Sequence, residues 1–69
     1  MTIGIGDIVY NRRRELGMTQ RELAEKAGID SVTVSTLECG KFAPRYDTLM
    51  LVLGALGLKM EIVEEEKNE

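Results

Sequence analysis

Apolar residues keep a helical spacing along most of the chain and change to alternation near its end. Ile5, Ile8, Val9 and Leu16 share one helical face with Gly17 behind them, which predicts a first helix ending near Leu16. Thr2 and Asp7 both qualify as its cap, and Gly4 and Gly6 weaken the first turn. In TQRELAEKAG, Thr19 and Glu22 make a capping box for a second helix, with Leu23, Ala24 and Ala27 inward and Gly28 as its stop. The next stretch, GIDSVTVSTLECG, is ambiguous. Val32, Thr33, Val34 and Thr36 are β-branched and favour a strand, yet Asp30 is a good N-cap, Val34 and Leu37 keep an apolar spacing of three, and Gly40 can end a helix. Lys41 to Arg45 holds the one proline, Pro44, and reads as a loop. Tyr46, Leu49, Met50, Val52, Leu53 and Leu56 form a broad apolar helix face closed by Gly57, and Gly54 inside it predicts a close neighbour. Beyond Gly57, Leu58, Met60 and Ile62 alternate with Lys59 and Glu61, the period of a half-buried strand over about 58–63.

The turn from Gly28 to Asp30 gives the second and third helices the spacing of a helix-turn-helix, over about residues 19–38. In that setting VTVST is the second helix of the motif, and packing through Val34 and Leu37 overrides its strand preference. A lone strand at 58–63 cannot satisfy its own backbone, and no second strand is evident. Its simplest partner is the same strand of a second copy, paired across a two-fold axis, because an unpaired apolar edge invites aggregation. The expected fold is therefore mainly α, four to five helices in one domain over residues 1–69, with a dimerising C-terminal strand and a frayed tail at 64–69.

Composition changes this picture in three places. A chain of 69 residues buries a limited core, which makes help from a partner plausible. One cysteine and no histidine exclude an internal disulfide and leave no ligand set for zinc and no histidine-based acid–base chemistry, so neither metal, cofactor nor enzymatic activity is expected. The net charge of −3 argues at first against nucleic acid, but residues 1–59 carry eight basic and seven acidic side chains, while residues 60–69 carry one lysine and five glutamates. The acidity belongs to the tail. No apolar run is long enough to cross a membrane and no secretory pattern opens the chain, so the expected location is the cytoplasm, with no membrane partner.

The stretch RRRELGMTQRELAEKAGIDSVTVSTLECGK, followed by DTLMLVLGALGLKMEIV, resembles the helix-turn-helix regulators related to phage Cro and lambda-type repressors, the xenobiotic response element family. It is most similar to their HipB-like antitoxin branch, over roughly residues 5–63. The resemblance implies a homodimeric DNA-binding repressor acting on a palindromic operator, usually that of its own gene. It implies that Gln20, opening the second helix, meets phosphate or a base edge. Ser31, Val32 and Thr36 match the major-groove face, Thr33 a backbone-facing position, and Lys41 a phosphate-side position. Arg13 and Glu38 match an internal ion pair, and the paired C-terminal strands of such relatives place Leu58, Met60 and Ile62 in a dimer interface. Cys39 stands where many relatives have asparagine, which puts a contact usual at that position in doubt.

An exposed helix face of small side chains suits close approach to bases, and a valine or threonine methyl can touch a thymine methyl. The same face lacks arginine, asparagine and glutamine, so direct readout is expected to be modest, with DNA shape and dimer spacing supplying much of the specificity. Arg12 and Arg14 read either as phosphate contacts or as the solvated face of an amphipathic helix. Lys41 and Arg45 are favoured as phosphate clamps over solubilising charges. Cys39 reads as inert in preference to a redox sensor, since no resolving thiol accompanies it. The leading expectation is a DNA-binding autorepressor with double-stranded DNA and a second copy as partners, and a cognate toxin as a third in the antitoxin version. Its rival is a protein-interaction module of the same fold with little DNA binding.

Overall fold

Each glycine expected to stop a helix does so in the computed structural model, which describes residues 4–41, 43–61 and 64. Four helices follow one another: α1 (Ile5–Glu15), α2 (Gln20–Ala27), α3 (Ser31–Cys39) and α4 (Tyr46–Ala55). Behind them stand Gly17, Gly28, Gly40 and Gly57, all left-handed with φ between 69 and 77°. At the end of α4 the Gly57 N–H donates to the Gly54 carbonyl at 3.1 Å and the Leu58 N–H to that of Leu53 at 2.8 Å. This is the double bond pattern that satisfies the last carbonyls of a helix, and only a residue without Cβ strain allows it cheaply.

The start of α2 is as local. Thr19 Oγ1 accepts from the Glu22 N–H at 3.0 Å and Glu22 Oε1 from the Thr19 N–H at 2.8 Å. The start of α1 differs from both expected caps. Gly4 occupies the N-cap, and Asp7 lies three residues inside, its carboxylate accepting from the Gly4 N–H at 3.2 Å. Asp30 sits at the N-cap of α3 in extended conformation, with no cap bond from its side chain.

The strand preference of VTVST yields to packing. Val34 and Leu37 are fully buried in one core with Val9, Leu23, Ala24, Ala27, Val52, Leu53, Ala55 and Leu56. Helix α3 packs on α2 and α1, and α4 packs on α2. Burying these side chains outweighs a few tenths of a kcal/mol of propensity per residue.

Two expectations need correction. Ile8 and Leu16 are 41% and 43% exposed, because α1 turns Gly6, Val9 and Arg13 to the interior instead. A Cβ on Gly6 would stand 2.5 Å from the Leu37 carbonyl oxygen and 3.0 Å from that of Glu38, so α1 and the end of α3 meet backbone to backbone. The close neighbour expected at Gly54 is absent: nothing among the described residues lies within 4 Å of a Cβ built there. Of the segment expected as a strand paired with a second copy, Leu58 to Glu61 are irregular in the lone chain, and Ile62 and Val63 lie outside the described residues. Leu58 instead closes the α4 cap and packs on the core, and a single chain offers no neighbouring strand for a ladder.

Candidate nucleic-acid interface

A polar clamp fixes the two helices of the motif against α1. The Arg13 guanidinium donates through Nε to Glu38 Oε2 at 2.7 Å and through Nη2 to Glu38 Oε1 at 2.9 Å. Its third bond runs from Nη1 to the Met18 carbonyl at 2.8 Å. Glu38 Oε1 also accepts from Gln20 Nε2 at 3.1 Å, so one carboxylate joins α1, the first residue of α2 and the last turn of α3. The Arg13 and Glu38 side chains are 9% and 5% exposed. A bidentate, charge-assisted pair has the geometry that a buried charge requires. The hydrogen bond to Glu38 raises the Arg13 pKa, against the opposing effect of burial, which keeps the guanidinium charged. No buried side-chain nitrogen or oxygen among the described residues lacks a partner.

This clamp changes the reading of Gln20. Its amide nitrogen is held by Glu38, and the side chain is half-buried. Gln20 is brought to the C-terminal end of α3, while Ser31 opens that helix at its other end.

The outward face of α3 is uncharged. Ser31 is exposed, Val32 is 71% exposed, and Thr33, Ser35 and Thr36 are half-buried. The Thr36 hydroxyl donates back to the Val32 carbonyl at 2.7 Å, which commits its proton and leaves the methyl and oxygen lone pairs as its outward chemistry. Cys39 is exposed one turn beyond Ser35. Ser35 was not among the residues singled out from the sequence. The signal was available, since Ser35, Thr36 and Cys39 stand three, four and seven residues after Val32 and so share its face.

The basic side chains divide by role. Arg12 Nε donates to the Leu56 carbonyl at 3.0 Å and its Nη1 to Glu15 at 3.1 Å, so this guanidinium caps the C-terminal end of α4. Arg14 Nη1 donates to the Tyr10 hydroxyl at 3.2 Å, and both Arg13 and Arg14 lie over the Tyr10 ring at 5.4 and 5.6 Å. Lys41 is exposed just past Gly40. Arg45, at the N-cap of α4, is 84% exposed and stands 3.7 Å from Asp47, a loose pair of little energetic weight. Of the residues expected at a dimer interface, Leu58 is half-buried against the core, Met60 is 37% exposed, and Ile62 is outside the described residues. Among the described residues no cluster of histidine, cysteine or carboxylates has a metal-holding arrangement, and no helix is long and apolar enough to cross a membrane.

Comparison with known proteins agrees with this architecture. A helix-turn-helix family profile matches residues 9–63. An uncharacterized HTH-type transcriptional regulator of Methanothermobacter thermautotrophicus is 38% identical over 50 residues, 72% of each chain. The immunity repressor protein of Bacillus phage phi105 is 32% identical over 64 residues, 93% of this chain and 44% of the repressor, so the likeness spans less than half of that protein. Among solved structures, a toxin-antitoxin module from Streptococcus pneumoniae superposes with a TM-score of 0.78 at 32% identity, covering 90% of this chain and 68% of that one.

Proposed function

The chain belongs to the helix-turn-helix family, and from that premise we propose that it is a sequence-specific DNA-binding transcription regulator that represses its own promoter as a homodimer. The observation that carries this reading is the uncharged, outward face of α3, held at a set angle by the Arg13–Glu38–Gln20 clamp. Small side chains there let the helix backbone sit deep in a major groove. Ser31, Val32, Ser35 and Thr36 then face base edges, Thr33 flanks them toward the DNA backbone, and Lys41 and Arg45 meet phosphates from the loop between α3 and α4. Gln20 acts chiefly through the clamp, with its amide oxygen left for a water or backbone contact at the DNA surface.

Two copies would read two half-sites about one helical turn apart, which a palindromic operator supplies. Leu58, Met60 and Ile62 are the proposed pairing segment, since the backbone after Leu58 gains a ladder only from a partner strand. The likeness to a toxin-antitoxin module and to a phage immunity repressor supports repression, with the antitoxin role as the more specific version. A small cytoplasmic regulator of this kind needs no cofactor.

The test is fluorescence anisotropy of the purified chain with duplex DNA from upstream of its own gene, against a scrambled duplex, at two salt concentrations. Preferential binding that weakens steeply with salt is expected, since phosphate neutralisation releases counterions. Equal, weak binding to both duplexes would instead favour a protein-interaction module built on the same fold.

A further inference from the structure

Resting on the DNA-regulator reading, we propose that the α3 face discriminates among base pairs chiefly by the 5-methyl group of a pyrimidine, gripped by Val32 and the Thr36 methyl. Five side chains make up that face: Ser31, Val32, Ser35, Thr36 and Cys39. None carries an amide or a charge, so no bidentate contact to guanine or adenine is available from it. Ser31 and Ser35 hydroxyls donate or accept, and so accommodate either kind of base edge. Thr36 is not equivalent to them. Its hydroxyl proton is committed to the Val32 carbonyl at 2.7 Å, which leaves the γ-methyl, one helical turn from Val32, as the part of this half-buried side chain not engaged in a hydrogen bond. Val32 itself is 71% exposed, an apolar side chain left largely open.

Val32 and Thr36 stand one turn apart and so bring two aliphatic groups together on a face whose other members are two serines and a cysteine, and the one apolar feature of a major groove is the pyrimidine 5-methyl. Thymine supplies it in ordinary DNA, and 5-methylcytosine presents the same group at the same place. Burying one methyl is worth about fourfold in affinity per contact, enough to choose among base pairs when repeated in two half-sites.

The experiment begins with selection of bound duplexes from two random-sequence pools, one untreated and one methylated at cytosine, using the full chain. The recovered duplex is then resynthesised with deoxyuridine in place of each thymine in turn. Recovery of thymine from the untreated pool, with about fourfold weaker binding per half-site when the contacted thymine becomes deoxyuridine, supports the thymine source. Enrichment only from the methylated pool, lost on returning 5-methylcytosine to cytosine, supports the other source. Val32→Ala and Thr36→Ser should each narrow the difference between the thymine and deoxyuridine duplexes, the two together should abolish it, and Thr36→Val should retain it. A selected duplex that binds equally well with every 5-methyl removed would overturn the inference while leaving sequence-specific DNA binding in place. If neither pool yields a preferred sequence, the DNA-regulator reading falls and this inference with it.

Discussion

The arginine triplet Arg12–Arg14 and the uncharged stretch Val32–Thr36 invert the usual expectation for a DNA-binding surface. The first holds a third of the nine basic side chains, and most of its guanidinium chemistry is intramolecular: α4 is capped, the motif is clamped, and Tyr10 is covered. The second carries no charge and, apart from the buried Val34, lies at least partly open, with Val32 the most exposed. The difference teaches that a basic run reveals little until the partners of each side chain are known. An arginine with three of its five donors already given to a carboxylate and a carbonyl has few left for phosphate.

The sharpest way to break this contrast is Arg13→Ala. With Glu38 left buried and unpaired, unfolding by urea should show a loss of about 3–5 kcal/mol. Replacing both members together by Arg13→Met and Glu38→Leu should recover much of that loss, because no orphaned charge remains. Helix α1 meets the end of α3 through the bare backbone of Gly6, so Gly6→Ala should cost about 1–3 kcal/mol despite alanine's better helix propensity. A thermal melt at or above the wild-type midpoint would contradict the backbone-to-backbone packing. Arg12→Ala removes the bond to the Leu56 carbonyl from a partly exposed position, and a loss of about 1 kcal/mol is expected in the same assay. Gly54→Ala should do the reverse of Gly6→Ala and stabilise α4 by up to ~1 kcal/mol, since space is open there. Smallest in stability is Val32→Ala, within about 0.5 kcal/mol of wild type, and its effect should appear in DNA binding alone.

Much of the fold was legible because its signals are short-range. Gly17, Gly28, Gly40 and Gly57 mark helix ends, and Thr19 with Glu22 marks a start, through bonds that span at most five residues. The face of α1 was read less well for a reason that is also physical. Hydropathy ranks Ile8 and Leu16 above Gly6 and Arg13, but a glycine is buried where two backbones touch, and an arginine where a carboxylate waits 25 residues away. The candidate site divides in the same way. Val32 and Thr36 stood out as β-branched residues in a helical context, whereas the half-burial and committed proton of Thr36 and the hold of Glu38 on Gln20 required coordinates.

The sequence by itself determined the four helices, their stops, the helix-turn-helix spacing and the lack of histidine chemistry, since each follows from local hydrogen bonding or from composition. Tertiary structure alone decided which side of α1 is inside, that Gly6 rather than Gly54 is a point of close approach, and that Arg12 and Arg13 hold the fold. Those outcomes depend on groups far apart in the chain meeting at van der Waals distance, where a single Cβ or an unpaired charge outweighs the preference of any one segment.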